Sequence, residues 1–310
     1  MTAAAGLWVV LVAVTTPAVA GTPGDSGFLS LRFAVGARES AMGGAGVAAT
    51  SGAAAVIWNP SRLLYTDGRT DLLLQHQRLY GLFDRETAAL AHRAAGGVLG
   101  VYFSGFYADD IDRYGEAPVG IPEGTFAPYD VVVGLAYARQ VVAPLTVGAA
   151  VKLLHEKIDT FNDTGYAFDL FLTHQATIPG LTFAASLTNF GPKLQLRNDA
   201  SDQESTPFSL PTVLRVGAAY DPVQAFFAGK VTFAGDVVFP NDGNAKAHAG
   251  VEYRLRPDFA LRAGSRVNYE SQGLTAGAGF RRGTIEVGYA YEDMQNDLDP
   301  SHKFVLELHY

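Results

Sequence analysis

Charged side chains recur at alternate positions towards the C-terminal end of the chain, opposite apolar residues. In Val251-Glu252-Tyr253-Arg254, for example, the two charges share one side of the segment and the apolar residues the other. Alternate residues of a strand share a face, and opposite charges on adjacent strands can pair across a sheet. The pattern predicts either a ladder of ion pairs or a charged path for a polar solute. These residues are Glu252, Arg254, Arg262, Arg266, Arg281, Glu286, Glu292 and Glu307.

A serine near the N-terminus, in Gly24-Asp25-Ser26-Gly27, has the neighbours of a hydrolase nucleophile. The same run occurs in trypsin-like proteases and in GDSL hydrolases, and Asp299 and His302 have the spacing of a late Asp-x-x-His. A nucleophilic serine also needs a strand that holds it and donors for the oxyanion. Ser26 lies close to the expected mature N-terminus instead. We therefore expect a disordered tail there and a protein that is not an enzyme.

Residues that could bind a metal ion are present but lack the spacing of a site. The seven histidines are scattered, and the chain has no cysteine. Acidic residues cluster at Asp109, Asp110, Asp112 and Glu116, without the glycine and ligand order of a calcium loop. We therefore predict neither a metal nor a cofactor. The formal net charge of -8 argues against nucleic acid as a partner.

The elements that carry these residues are strands. From Thr70 to Tyr310 the chain alternates between apolar and polar residues with a period of two. We count about fourteen such segments of about ten residues, the length that a tilted membrane strand requires. Their predicted starts are Asp71, Thr87, Val98, Asp130, Leu145, Tyr166, Leu181, Thr212, Phe226, Lys246, Phe259, Leu274, Thr284 and Lys303.

The connections between these segments predict a transmembrane barrel. Short turns such as 142–144 alternate with long polar connections such as 108–128 and 159–164, as in an even-stranded barrel whose termini share the periplasmic side. A soluble β-sandwich is the alternative, but its outward face would be charged. Here the residues opposite the apolar face are largely small. We predict an all-β fold, a transmembrane antiparallel β-barrel of about 14 strands with a small N-terminal plug, whose charged residues line the lumen.

The first residues have the pattern of a secretory signal peptide. Met1 to Ala20 contains an apolar core followed by Ala18-Val19-Ala20, a small-residue cleavage site. An uncleaved membrane anchor is the alternative, because the first six residues lack Lys and Arg. We predict a signal peptide at 1–20, an N-terminal plug at 21–69 and the barrel at 70–310.

The stretch from Phe28 to Tyr65 differs from the strands because it is rich in small residues. Small side chains let backbones approach closely, and Asn-Pro favours a turn. We interpret the stretch as a plug inside the barrel; a phosphate-binding loop would need a preceding strand and a following helix. The predicted plug residues are Gly36, Arg38, Met42, Gly43, Gly44, Gly46, Trp58, Asn59 and Pro60.

This stretch also carries a family resemblance. Gly36 to Arg38, Ala41 to Ala48 and Trp58 to Leu63 resemble the start of mature FadL-superfamily outer-membrane proteins, most closely the PorV/PorQ branch. The family usually has an acidic residue between the last two motifs, where this chain has Ser51-Gly52-Ala53. The likeness covers roughly forty residues; over the rest of the chain it is one of strand count and pattern.

The last segment ends on an aromatic residue, as outer-membrane barrels typically do. The apolar residues Phe304, Leu306, Leu308 and Tyr310 alternate with polar ones. The resemblance implies that the barrel-assembly machinery reads this strand as an assembly signal.

The resemblance implies two functions. A FadL-like protein would carry hydrophobic small molecules passively across the outer membrane of a diderm bacterium, past a plug that shifts or through a gap in the wall. A PorV/PorQ-like protein would instead dock exported, secreted proteins in type IX secretion. Both place the chain in outer-membrane lipid after signal-peptide cleavage.

Overall fold

The computed structural model describes residues 26–65, 68–115, 120–199, 201–224, 229–256 and 258–310. The predicted signal peptide and the Gly24-Asp25 pair lie outside these ranges. Five short helical elements come first: 3-10 turns at Leu29–Arg32, Gly52–Ala54 and Pro60–Tyr65, and the α-helices α1 (Ala37–Ala41) and α2 (Ala55–Trp58). The strands that follow are β1 (Thr70–Leu79), β2 (Phe83–Ala94), β3 (Gly97–Ala108), β4 (Ile111–Arg113), β5 (Gly124–Phe126), β6 (Tyr129–Val142), β7 (Leu145–Ile158), β8 (Phe161–Gln175), β9 (Leu181–Phe190), β10 (Arg197–Asn198), β11 (Val213–Tyr220), β12 (Lys230–Pro240), β13 (Lys246–Arg256), β14 (Phe259–Val267), β15 (Gln272–Arg282), β16 (Ile285–Met294) and β17 (Ser301–His309).

Fourteen of these strands form one closed antiparallel barrel. Each pairs with its neighbours along the chain, β8 pairs with β9, and β17 returns to pair with β1. The other three are short: β4 and β5 form a hairpin in a long loop, and β10 extends the sheet beside β8. The predicted all-β barrel of about 14 strands is confirmed. Within the described residues, no helix has both the length and the apolar character needed to cross a membrane.

Two connections are shorter than the sequence pattern predicted. β2 begins at Phe83 rather than Thr87, and the supposed loop 159–164 is a turn of two residues, because β8 begins at Phe161. The polar residues at these strand ends still pair, as Lys157 does with Asn162. Strand ends that rise beyond the lipid need no apolar face, so the alternation of polarity stops before the strand does.

The two faces of each strand differ in side-chain exposure, because one face meets lipid and the other packs inside the barrel. In β7, Leu153 points outward with 61% of its surface exposed, whereas Lys152 and Leu154 point inward and are buried. A barrel in lipid buries its outward apolar residues in the bilayer instead of in a protein core. The protein core therefore lies inside the barrel.

Residues 26–65 fill that interior and run from the long-loop end of the barrel to its short-turn end. Ser26 forms a β-bridge with Ser209, in the long connection between β9 and β11. At the other end the hydroxyl of Tyr65 lies 2.6 Å from Oγ1 of Thr146, at the start of β7. Ser26 is buried, so the expectation of a disordered tail is wrong for this residue.

The apolar residues of this segment pack against the inward faces of the first and last strands. Val35, Val56 and Leu63 are each 1% exposed or less, and they belong to one cluster with residues of the wall. Burying an aliphatic side chain of this size stabilises a fold by about 1.5–3 kcal/mol. The wall residues of the cluster are Leu73, Ala89, Ala91, Val98, Tyr102, Val132, Ala136, Ala150, Leu154, Ala167, Phe171, Ala290 and Val305.

Candidate functional site

Two consecutive glycines bring the N-terminal segment onto the wall. Helix α1 ends at Ala41, and Gly43 and Gly44 follow with φ of +71° and +78°. A Cβ at Gly43 would lie 2.7 Å from the carbonyl oxygen of Ala249 and 2.8 Å from the nitrogen of Ser265. Both the left-handed backbone and the missing Cβ are therefore required for this contact.

The other predicted plug residues near α1 also make close contacts. Gly36 donates its N–H to Oε1 of Gln75 at 2.7 Å. Met42 lies against the wall where β13 and β14 carry Gly250 and Gly264, so close that a Cβ on Gly250 would be 2.6 Å from the Met42 Cβ. Small residues on the strands thus complement the segment that they enclose.

The Trp-Asn-Pro motif folds the second half of the segment. Trp58 donates from Nε1 to the carbonyl of Val35 at 2.7 Å, and its ring packs on Gly46. Asn59 is fully buried and donates from Nδ2 to the carbonyl of Val47 at 2.8 Å. Pro60 then begins the last 3-10 turn, which leads to the short-turn end.

A network of ion pairs joins this segment to β13, β14 and β16. Arg38 Nε lies 3.1 Å from Oε2 of Glu252, and Arg262 Nε lies 2.6 Å from the same oxygen. Arg262 also reaches Glu286, at 3.1 Å, and Arg254 lies 3.5 Å from Glu252. Each carboxylate is shared by several arginines, which compensates part of the cost of burying these charges.

A second network lies nearer the long-loop end. Arg266 Nη2 is 2.9 Å from Oε1 of Glu292, and its Nε donates to the carbonyl of Gly43 at 3.1 Å. Lys303 is fully buried, lies 3.6 Å from Glu292 and donates to the carbonyl of Ala34 at 2.6 Å. The wall therefore holds backbone oxygens of the N-terminal segment as well as its side chains.

A third group of polar contacts holds the glycine turn from the opposite side. Asp236 accepts from the backbone N–H of Val47 at 3.1 Å and from Arg215 at 3.2 Å. Arg215 also donates to the carbonyl of Gly44 at 2.9 Å, and His248 Nδ1 lies 2.9 Å from the same oxygen. The turn is thus bound by both charged and neutral groups.

Arg281 and Glu307 are the cross-strand neighbours of Glu286 on β15 and β17. Arg281 is on the inward face of β15 but near the short-turn end, where its Nε donates to the carbonyl of Gly283 at 3.4 Å. Glu307 approaches Gly52 of the N-terminal segment: a Cβ at that glycine would be 2.6 Å from Oε2 of Glu307. Neither residue has an ion pair within 4 Å in the part of the chain described here.

The predicted assembly-signal residues point outward along β17. Phe304 is 55% exposed and Tyr310 65%, while Leu306 and Leu308 are half-buried between neighbouring strands. Tyr310 is held by its backbone, which exchanges hydrogen bonds with Thr70 at 2.8 and 2.9 Å. The aromatic side chain therefore faces the membrane side of the barrel seam.

A cavity of about 580 Å³ lies between the N-terminal segment and the long-loop end of the lumen. Its floor includes Val35 and Trp58, and its walls carry both aromatic and charged residues. Such a mixture of apolar surface and a few polar groups is typical of small-molecule sites. The charged and aromatic lining residues are Arg32, Phe33, Trp58, Tyr80, Arg85, Tyr102, Lys152, Arg215, Asp242, Lys246, Tyr269 and Glu270.

Sequence reasoning missed most of the charges at this cavity. It selected the C-terminal strands, where charges alternate in sequence, but not Arg85, Lys152 or Arg215, which are inward charges on β2, β7 and β11. The available signal was sequence spacing: each of these charges stands an even number of residues from buried residues of its own strand, and alternate residues of a strand share a face. Arg32 was also missed; it forms an ion pair with Asp242 of the loop between β12 and β13.

Solved structures with a similar fold include proteins described as hydrocarbon channels or transporters. The toluene transporter TodX of Pseudomonas putida matches with a TM-score of 0.62 over 88% of this chain and 97% of its own, at 15% identity. The monoaromatic hydrocarbon channel CymD matches with a TM-score of 0.59 over 89% and 97%, at 16% identity. A Pseudomonas aeruginosa FadL homologue matches at 0.56 over 89% and 98%, at 10% identity. The chain shares the barrel fold of these proteins.

This likeness concerns the fold alone. No protein-family profile and no curated protein matches the sequence. The predicted likeness to the FadL superfamily is therefore supported by the FadL-type architecture, and the closer likeness to the PorV/PorQ branch stays a prediction. These neighbours are described as a transporter and a channel, and the absence of catalytic activity in this chain stays a prediction.

Proposed function

We propose that the protein is an outer-membrane channel through which small hydrophobic molecules enter a diderm cell passively. The observation that carries the proposal is the cavity of about 580 Å³ between the N-terminal segment and the connections that contain Asp242 and Tyr269 at the long-loop end. A solute that entered this cavity from the long-loop end would meet the N-terminal segment before it reached the short-turn end. The solved channels of the same fold, which carry toluene or other monoaromatic hydrocarbons, support this class of solute.

The exit we propose is past the N-terminal segment, which acts as the plug. Register shifts interrupt other strand pairs of the wall, among them β8 with β9 between Phe168 and Leu170, but the pairs that flank the barrel seam, β1 with β17 and β1 with β2, have none. A gap there would break several ladder hydrogen bonds in lipid, where no water replaces them. The plug, in contrast, is held largely by side chains that can exchange partners with water in the lumen.

A reversible covalent lock tests this function. The chain has no cysteine, so a pair introduced at Ala37→Cys and Gly288→Cys is the sole possible disulfide. A Cβ at position 288 would lie 3.0 Å from that of Ala37, near the 3.5–4.5 Å of disulfides. The pair would join α1 of the plug to β16 of the wall.

The measurement is uptake of radiolabelled toluene by diderm cells that produce this variant in the outer membrane. We expect the oxidised variant to admit toluene at least fivefold more slowly than the same protein after reduction. The single variant Ala37→Cys, treated with the same reagents, is the control. Equal uptake in the oxidised and reduced states would exclude plug movement, and uptake equal to that of cells without the protein would exclude the channel.

A docking protein for exported proteins, as the resemblance to PorV/PorQ implies, is the second candidate. One observation favours it: the hairpin of β4 and β5 carries apolar residues that are exposed, Ile111 at 44%, Tyr114 at 58% and Ile121 at 70%. Exposed apolar patches rimmed by polar residues mark binding surfaces. Replacing these three residues by serine would abolish retention of secreted polypeptides on the purified barrel if docking is the function, and would leave toluene uptake unchanged.

A further inference from the structure

The cavity above the plug is lined by more cations than carboxylates. Five basic side chains reach its surface, but the acidic side chains there are Asp242 and Glu270. The basic ones are Arg32, Arg85, Lys152, Arg215 and Lys246. A low-dielectric wall with one predominant charge concentrates ions of the opposite sign.

Three of these cations already have a carboxylate. Lys152 Nζ lies 2.7 Å from Asp169 Oδ2, and both side chains are 5% exposed or less. Arg215 pairs with Asp236 at 3.2 Å, and Arg32 pairs with Asp242. Their charge is therefore compensated inside the protein.

Arg85 lacks such a partner, although it is buried. The residue is 5% exposed and lies on the inward face of β2. Its Nε donates to Oγ of Ser104 and its Nη1 donates to the carbonyl of Phe33, both at 2.9 Å. Within the described residues, no carboxylate lies within 4 Å of this guanidinium and Nη2 makes no hydrogen bond. Asp130 and Glu292 act on Arg85 only from beyond 4 Å, so its buried charge is partly compensated, and a ligand anion in direct contact would compensate it further.

Aromatic rings surround the same space. Trp58 forms part of the floor, with the Arg215 guanidinium 4.9 Å from its ring centre. Tyr102 and Phe33 also line the cavity, as does Tyr269, whose ring centre is 4.1 Å from the Lys246 amine. Aromatic rings prefer other rings as packing partners, by about 0.5–1.5 kcal/mol beyond their buried area.

We propose that this cavity is a binding site for small aromatic carboxylates, with the carboxylate on Arg85 and the ring against Trp58 and its aromatic neighbours. The proposal rests on the proposed channel function and specifies, among small hydrophobic molecules, aromatic acids as the preferred solute class. A guanidinium offers two parallel N–H donors to a carboxylate, and Arg85 has unused donors at Nη2. Lys246 adds a second cation at the cavity surface.

The fluorescence of Trp58 provides a local measurement of binding. The chain has two tryptophans, Trp8 in the predicted signal peptide and Trp58 in the cavity floor. A protein produced from Gly21 onward behind a host leader thus contains a single tryptophan. Benzoate, toluene and cyclohexanecarboxylate are the probes, because they differ in charge or in aromaticity at nearly equal size.

We expect benzoate to quench Trp58 with a Kd at least tenfold lower than toluene and at least threefold lower than cyclohexanecarboxylate. Arg85→Gln is expected to weaken benzoate binding at least tenfold and toluene binding less than threefold, while Arg85→Lys retains most of the preference for the acid. Arg281→Gln removes a wall charge outside the cavity and is the matched control. Because Arg85 is buried, Lys246→Gln serves as a second variant, with a smaller loss of benzoate affinity expected.

Equal affinity for benzoate and toluene would overturn the proposal, as would an equal loss for both ligands in Arg85→Gln with Lys246→Gln unchanged. If cyclohexanecarboxylate bound as tightly as benzoate, the claim that the site prefers an aromatic ring would be overturned. The two proposals fail separately. Toluene uptake that depends on the plug, without a preference for benzoate, would support the channel function and exclude this binding site. A preference for benzoate, with uptake that is the same in the oxidised and reduced double-cysteine variant, would support the site and exclude a moving plug.

Discussion

Arg38 of the plug and Glu252 of the barrel wall form an ion pair across 214 residues of sequence, with Arg38 Nε 3.1 Å from Glu252 Oε2. Glu252 also accepts from Arg262 at 2.6 Å, so one carboxylate binds a plug residue and a wall residue at once. This carboxylate therefore links the stability of the barrel to the position of the plug.

Glu252→Gln is expected to loosen the plug. The change leaves Arg38 and Arg262 buried beside a neutral amide, and breaking a buried ion pair costs about 3–5 kcal/mol. At about 2–4 °C per kcal/mol for a domain of this order, the apparent Tm in detergent should fall by roughly 6 °C or more. Thermal unfolding followed by heat-modifiable gel mobility measures it. Glu86→Gln, which removes an exposed carboxylate on the same barrel, should change Tm by less than about 1 °C.

Gly43→Ala should destabilise the protein more than Gly96→Ala. Both glycines have positive φ, +71° and +69°, so both substitutions carry the left-handed backbone cost of about 1–2 kcal/mol. At Gly96 nothing lies within 4 Å of an added Cβ, whereas at Gly43 backbone atoms of Ala249 and Ser265 lie within 2.8 Å. The difference in Tm between the two variants measures the steric part alone. Equal Tm values would contradict the close approach of plug and wall.

The pH dependence of stability should change in Glu39→Gln. Burial raises the pKa of the Glu39 carboxyl above its ordinary 4.5, since Oε2 lacks a hydrogen-bond partner and Oε1 has Thr50. An acid whose pKa is raised on folding stabilises the protein below 4.5, and that contribution is lost as the pH rises through the folded-state pKa. The variant should therefore match the original protein at pH 4 and exceed it in Tm at pH 8. A Tm difference independent of pH would show that Glu39 acts through packing instead.

Tyr310→Ala should lower the amount of folded barrel in the outer membrane. The side chain is 65% exposed, and the backbone of Tyr310 keeps its hydrogen bonds to Thr70 in the variant. Stability after refolding in detergent is therefore expected to change little, while assembly in cells falls severalfold. Protease-resistant barrel in isolated membranes is the measurement, with Tyr220→Ala, an aromatic on the outward side of another strand, as the control. Normal levels would show that the terminal aromatic is not read.

The sequence could predict the barrel because membrane strands obey a local rule. Each strand must present apolar residues to lipid at every second position, so strands such as Leu145–Ile158 are visible without knowledge of their partners. The strand ends at Phe83 and Phe161 were missed because the rule stops where the strand leaves the lipid. The small residues of the plug could also be recognised from sequence, since close packing of backbones requires small side chains whatever the packing partner is.

The amino-acid sequence by itself thus determined the number of strands, their two faces and the presence of an unusual segment before them. Tertiary structure alone decided which residues meet: Ser26 with Ser209 at the long-loop end, Arg38 with Glu252, and Lys303 with the plug backbone at Ala34. It also decided that Arg85 faces a cavity without a carboxylate beside it. The physical reason is closure of the barrel: joining β17 to β1 brings distant strands around one lumen, and charge compensation there depends on which side chains share it.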